Sequence, residues 1–245
     1  MGINPSSVWA AVGAGIGMGT LHVVTGADHV SAVASLAVGN TSATAFWLGA
    51  RWGCGHSVGL LIVFLTLLAL RVETNETVMS TANRMMGISV GLFMVALGAY
   101  GVFSVDQRLR DAATIHRVDD EKDDEKTRLT STDANDEPKR TTLNSQIAIA
   151  VGIVHGAAGP GAVLGVLPAI ALRDEPLVFG YFGGFVVATV FAMGVFAAAW
   201  GWATRLLGEK GGAKVQRGLA LFSSALCIVV GVVWTSLAVA GTKLG

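Results

Sequence analysis

Six apolar stretches, each long enough to cross a bilayer, constrain this chain more than any single motif. They lie near residues 7–36, 44–70, 84–105, 145–172, 177–206 and 216–240. A hydrocarbon core about 30 Å thick needs about 20 apolar residues at about 1.5 Å of helical rise per residue. Only 14% of the residues are charged, against about 25% in a soluble domain, and the mean hydropathy is +0.60. The expected fold is therefore an all-α integral membrane protein of six transmembrane helices.

The few charges are unevenly placed. Residues 106–142 hold 19 of the 34 acidic and basic side chains, including the run Asp119-Asp120-Glu121-Lys122-Asp123-Asp124-Glu125-Lys126. That run has no apolar face to bury, so it reads as a disordered, solvated loop. The chain then divides into residues 1–105, residues 106–142 as the charged loop, and residues 143–245. The overall charge of zero says nothing about nucleic-acid partners, and none is expected. Cys54 and Cys227 both lie in apolar runs, so neither a disulfide framework nor a zinc knuckle is indicated. The loops joining spans one to two, three to four and five to six carry 12 Lys and Arg residues, against four on the opposite side. The positive-inside rule then puts both termini outside and the charged loop in the cytosol of a multi-pass protein. The membrane itself, plasma (inner) membrane or organelle envelope, stays open.

Within the spans the costly groups stand out. The stretch from Leu21 to Val30 holds His22, Asp28 and His29 between flanks without charge. An ionised Asp near a span centre costs about 2.5–3.5 kcal/mol, so such a group usually serves a function. Four of the five histidines, His22, His29, His56 and His155, lie in apolar spans. A lone intramembrane His often serves as interhelical glue. Four of them with one Asp favour a first-row transition metal, because imidazole suits Ni, Cu, Zn and Fe. On an unbroken helix His22 and His29 would be about 10.5 Å apart along the axis, too far to share an ion. A bend at Thr25-Gly26 would bring them together, with Asp28 capping the second half-helix and its carboxylate facing the ion. An Asp28–Arg51 ion pair is the competing use of that carboxylate.

An internal repeat supports the break. Gly19-Thr20-Leu21-His22 followed by Gly26 aligns with Gly152-Ile153-Val154-His155 followed by Gly159. Arg84 and Gly98 correspond likewise to Arg217 and Gly231. Two units of three spans must have opposite orientations, which is the inverted-repeat plan of many transporters. The first and fourth helices should both be discontinuous, at Gly26 and at Gly159-Pro160-Gly161. The glycines at 13, 15, 17 and 19 read as close-packing positions between helices.

Two other motifs lead elsewhere. Gly55-His56-Ser57-Val58-Gly59 fits a nucleophile elbow, but that motif needs a strand-to-helix turn on a sheet. No enzymatic activity is expected. Paired histidines could ligate haem, yet they cluster at helix breaks rather than in two layers on facing helices.

His22 through Val30 resembles the His-x4-Asp-His signature of the nickel/cobalt transporter (NiCoT) family, and Trp52-Gly53-Cys54-Gly55-His56-Ser57 resembles that family's Leu-Gly-His-Ser motif. The chain departs by one residue, with five rather than four between His22 and Asp28. Val154-His155-Gly156-Ala157-Ala158-Gly159-Pro160-Gly161 is closer to the urease-accessory-protein-like branch, which includes plastid high-affinity nickel-transport members. The resemblance implies a polytopic permease for Ni²⁺ or Co²⁺, carried as substrate with no prosthetic group. It implies His22, Asp28, His29 and His56 as metal ligands; His155 joins them through the repeat and the closer branch. The rival is a membrane metallochaperone supplying metal to a metalloenzyme. The partners expected are the ion and the lipid bilayer, and assembly as a homo-oligomer stays open.

Overall fold

The computed structural model describes residues 7–70, 76–120, 137–158, 165, 168–169, 172 and 174–241. Among them every regular element is helical. This is the expected outcome in lipid, where a helix satisfies its own backbone polar groups. The helices are α1 (Val8–Thr25), α2 (Ala27–Ala37), α3 (Ser42–Leu70), α4 (Glu76–Asp120), α5 (Glu137–Ala158) and α6 (Glu175–Val239). Five segments are long and apolar enough to cross a membrane: Val8–Thr25, Ser42–Thr66, Arg84–Val105, Glu175–Gly212 and Lys214–Val239. The described part of the fourth apolar stretch contributes the shorter apolar segment Ala148–Ala157. Gly159-Pro160-Gly161, the expected second break, lies outside the described residues.

The first break is where the glycine predicts it. α1 ends at Thr25 and α2 begins at Ala27, with Gly26 between them at φ −76° and ψ 90°. Gly26 N–H still reaches the His22 carbonyl at 3.1 Å, and its own carbonyl accepts from Val30 N–H at 3.0 Å. The hinge therefore leaves few backbone groups unsatisfied. A Cβ at this position would stand 2.6 Å from Nδ1 of His29 and 2.9 Å from the His22 carbonyl. Only glycine lets that imidazole fold back over the hinge.

The charged segment differs from the expectation of a loop starting at residue 106. α4 continues as helix to Asp120, and α5 already begins at Glu137. Extending an existing helix adds one hydrogen bond per residue without a new nucleation penalty, so an apolar span can carry a polar extension. The fifth and sixth apolar stretches, expected as separate spans, are separate long apolar segments, the two arms of α6 on either side of the non-helical Gly212, whose φ is +69°. The arms double back, for a Cβ on Gly208 would meet the side chain of Gln216 at 3.4 Å. A straight helix would separate those residues by about 12 Å.

Small residues then decide which helices touch. Gly55 and Gly59 of α3 lie against the backbone of Ile149 and Ile153, while Gly152 and Gly156 of α5 lie against Trp52 and His56. A Cβ on any of these four would collide with a carbonyl, so α3 and α5 cross at backbone contact. Gly15 and Gly19 of α1 seat the backbone of Tyr181 and Phe185 in the same way. Gly13 and Gly17, read from sequence as part of one packing stripe, have open space where a Cβ would go. They occupy the other face of α1, about 100° per residue away. Two further approaches join α4 to the second arm of α6: Gly91 meets Gly231, and Gly98 meets Ser224. Between these layers sits α2, with Ala32, Val33, Ala34 and Ala37 each at most 1% exposed. Val33, Trp52, Met94, Met193 and Cys227 share one core cluster around it.

Candidate metal centre

Five ionisable side chains converge where α1 breaks into α2. His22 comes from the last turn of α1, Asp28 and His29 from the first turn of α2, His56 from mid-α3 and His155 from the last turn of α5. All are buried, between 0% and 4% exposed. The hinge brings the His22 and His29 rings to 4.4 Å between centroids, where a straight helix would hold them about 10.5 Å apart along its axis. His56 and His155 arrive because the glycines beside them, at 55, 59, 152 and 156, let α3 and α5 approach.

The contacts divide the five groups by role. Nε2 of His22 and Nε2 of His56 stand 3.2 Å apart. Two nitrogens bound at about 2.05 Å to one tetrahedral ion would be about 3.3 Å apart. Oδ1 of Asp28 is 2.8 Å from Nδ1 of His29, and its Oδ2 is 2.8 Å from Nε2 of His155. An ionised carboxylate only accepts, so each imidazole donates to it. His29 thereby donates from Nδ1, and its Nε2 is buried and without a hydrogen-bond partner. A carboxylate behind a histidine, orienting the ring for the ion in front, is the common arrangement at metal sites. His22, His29 and His56 form one group whose donor atoms all lie within 4.8 Å of one another, and Asp28, His29 and His155 form a second. The first, with three nitrogen donors, could hold a transition metal and leave a fourth position open.

This geometry separates Asp28 from two expected roles. No side-chain cap bonds the first turn of α2, where Gly26 is the N-cap residue. Both Asp28 oxygens face imidazoles rather than the guanidinium of Arg51, which lies on an exposed face of α3. The reason is positional: Asp28 sits one residue before His29 on the buried face, and Arg51 is turned outward from Trp52, its fully buried neighbour.

Trp52 and Phe185 belong to the site and were not singled out by sequence reasoning. Trp52 stacks on His56 at an interplanar angle of 5° and a centroid distance of 5.2 Å. It also meets the His29 ring at 5.4 Å and the His155 ring at 5.3 Å. Phe185 meets His22 at 5.5 Å. The signal was present twice. Trp52 stands one helical turn before His56, and the spacing from Trp52 to Phe185 is the same 133 residues that separate His22 from His155.

Two curated relatives of the chain are known in Arabidopsis thaliana. It is 31% identical over 213 residues to Chloroplast protein FOR GROWTH AND FERTILITY 1, covering 87% of this chain and 55% of that protein. It is 30% identical over 205 residues to Chloroplast protein FOR GROWTH AND FERTILITY 2, covering 84% of this chain and 50% of that protein. The chain thus spans about half the length of the curated relatives it matches. No protein-family model and no solved structure matches it.

Proposed function

We propose that this chain carries a divalent transition-metal ion, Ni²⁺ or Co²⁺, across a membrane, with His22, His29 and His56 as the ligands and Asp28 and His155 as the pair that orients His29. One observation carries the reading: three imidazoles and a carboxylate meet at a helix break buried among apolar spans. His29 keeps a buried Nε2 without a hydrogen-bond partner beside the His22 and His56 nitrogens, whose 3.2 Å separation is also that of two ligands on one ion. An ion would supply the missing partner for His29 and replace the contact between His22 and His56. Nickel and cobalt are favoured over other imidazole-binding metals through the sequence resemblance to nickel/cobalt transporters.

The proposed architecture is six spans in two inverted units of three, with discontinuous first and fourth helices. Paired contacts support it. Gly19 packs on Phe185 as Gly152 packs on Trp52, and Gly91 on Gly231 as Ser224 on Gly98. His22 meets Phe185 at 5.5 Å as His155 meets Trp52 at 5.3 Å. In every case adding or subtracting 133 turns one contact into the other, as a twofold relation between the units would. Met94 and Cys227 are counterparts by the same spacing and touch each other at 3.9 Å between sulfurs, so the axis would pass between them. An organelle membrane is the proposed location, supported by the chloroplast named for both relatives and by the five long apolar segments.

The test is uptake of radiolabelled Ni²⁺ by sealed vesicles holding the purified chain. Saturable uptake that is lost in His22→Ala and His29→Ala proteins, at wild-type protein levels, is expected. Intact uptake in both variants would sink the proposal. Tight Ni²⁺ binding with no uptake would favour a metallochaperone instead.

A further inference from the structure

A cleft of about 470 Å³ opens between the end of the α4 span and the start of the second arm of α6. Its walls are Ala99, Val102 and Phe103 on one side and Leu221 and Ile228 on the other, with the cation Arg217 at one end. Sites that hold small ligands commonly have this volume and this largely apolar lining. The furrow exists because α4 and the arm approach closely at Gly98 and Ser224, so the larger side chains flanking that contact diverge.

We propose that this cleft binds one anionic phospholipid of the surrounding bilayer, with the phosphate on Arg217 and an acyl chain along the furrow. Depth supports the assignment. The apolar windows of the two helices end at Val105 and begin at Lys214, so Arg217 stands at the boundary between hydrocarbon and water. From Arg217 to Ile228 the furrow descends about 16 Å into the hydrocarbon layer. Arg217 is exposed, and so is Lys214 one turn before it. Basic pockets between spans at this depth recognise anionic headgroups, and a guanidinium matches two phosphate oxygens at once. A soluble anion would engage the charge and leave the apolar walls without a role. A zwitterionic lipid would fill the walls and gain little from Arg217.

The experiment is native mass spectrometry of the full chain in detergent, titrated separately with a phosphatidylglycerol and a phosphatidylcholine of identical acyl chains. One phosphatidylglycerol should bind about fivefold more tightly than phosphatidylcholine, the effect of one basic group at the membrane surface. Arg217→Gln should erase that preference, and Ala99→Phe should weaken both lipids by filling the furrow. If Ala99→Phe fails to fold, Arg217→Gln carries the test alone, because that position is exposed. Equal binding of the two lipids, an unchanged preference in Arg217→Gln, or full competition by inorganic phosphate would overturn the proposal. So would phosphatidylglycerol binding only after deletion of residues 121–136, since the chain's own acidic segment would then be the occupant.

Discussion

His29 uses its two ring nitrogens differently, and the site depends on that division. Nδ1 donates to Asp28 at 2.8 Å, while Nε2 has no hydrogen-bond partner beside the close pair of His22 and His56. Removing a carboxylate that orients a metal-binding histidine lowers affinity about 10–100-fold. Asp28→Asn should therefore weaken Ni²⁺ binding by about that factor, whereas His29→Ala should abolish it, both measured by calorimetry on the detergent-solubilised chain. Equal and complete loss in the two variants would instead make Asp28 a direct ligand. Trp52 contributes mainly packing, as a fully buried ring against three imidazoles. Trp52→Ala should lower stability by about 3–5 kcal/mol, read from thermal unfolding, through the cavity it leaves.

Glycines act at the scale of helices, and their positions separate two kinds. Gly152 and Gly156 allow the backbone of α5 to rest on Trp52 and His56, while Gly13 and Gly17 face open space. Gly156→Ala should force α3 and α5 apart, lowering both the melting temperature and metal affinity. Gly13→Ala should leave metal binding unchanged and stabilise the helix by up to about 1 kcal/mol, the usual difference between the two residues in a helix interior. Equal behaviour of the two substitutions in the same melting and titration experiments would refute the packing account. Gly26 is a third kind. Its substitution would displace the His29 ring from Asp28, so Gly26→Ala should behave in metal titration like Asp28→Asn.

The molecule as a whole encloses the candidate ion site, with every candidate ligand at most 4% exposed. Transport through such a site requires an opening motion on each side in turn, so uptake should saturate with Ni²⁺ concentration. Linear uptake in vesicles would point to a pore. Topology offers a second check at this scale. Ser7 and Thr132 would be separated by three spans, an odd number, and so should lie on opposite faces. In a background lacking Cys54 and Cys227, an impermeant maleimide should label Ser7→Cys and Thr132→Cys from opposite sides of the membrane. Labelling from one side would exclude the three-span unit.

The helical membrane class and the hinge at Gly26 were both legible in the residue string. Each follows from local physics, for apolar length selects spanning helices and a glycine between His22 and His29 allows a sharp turn. The five candidate side chains were legible too, because charge and imidazole inside apolar runs are expensive. Their division of labour was not. Asp28 read either as a cap whose carboxylate faces the ion or as a partner of Arg51, and only the approach of His155 from α5 showed where its second oxygen goes. Nor could the spacing of glycines in α1 say which face meets Tyr181 and Phe185. Periodicity limits the choice of face, but the neighbour that occupies it comes from far along the chain. What the sequence determined by itself is a helical chain with segments apolar enough to cross a membrane and a break beside two imidazoles, since those properties are local. Which nitrogens meet, and which second imidazole the carboxylate takes, was decided by helix contacts across 34 residues in one case and 127 in the other, which no local pattern encodes.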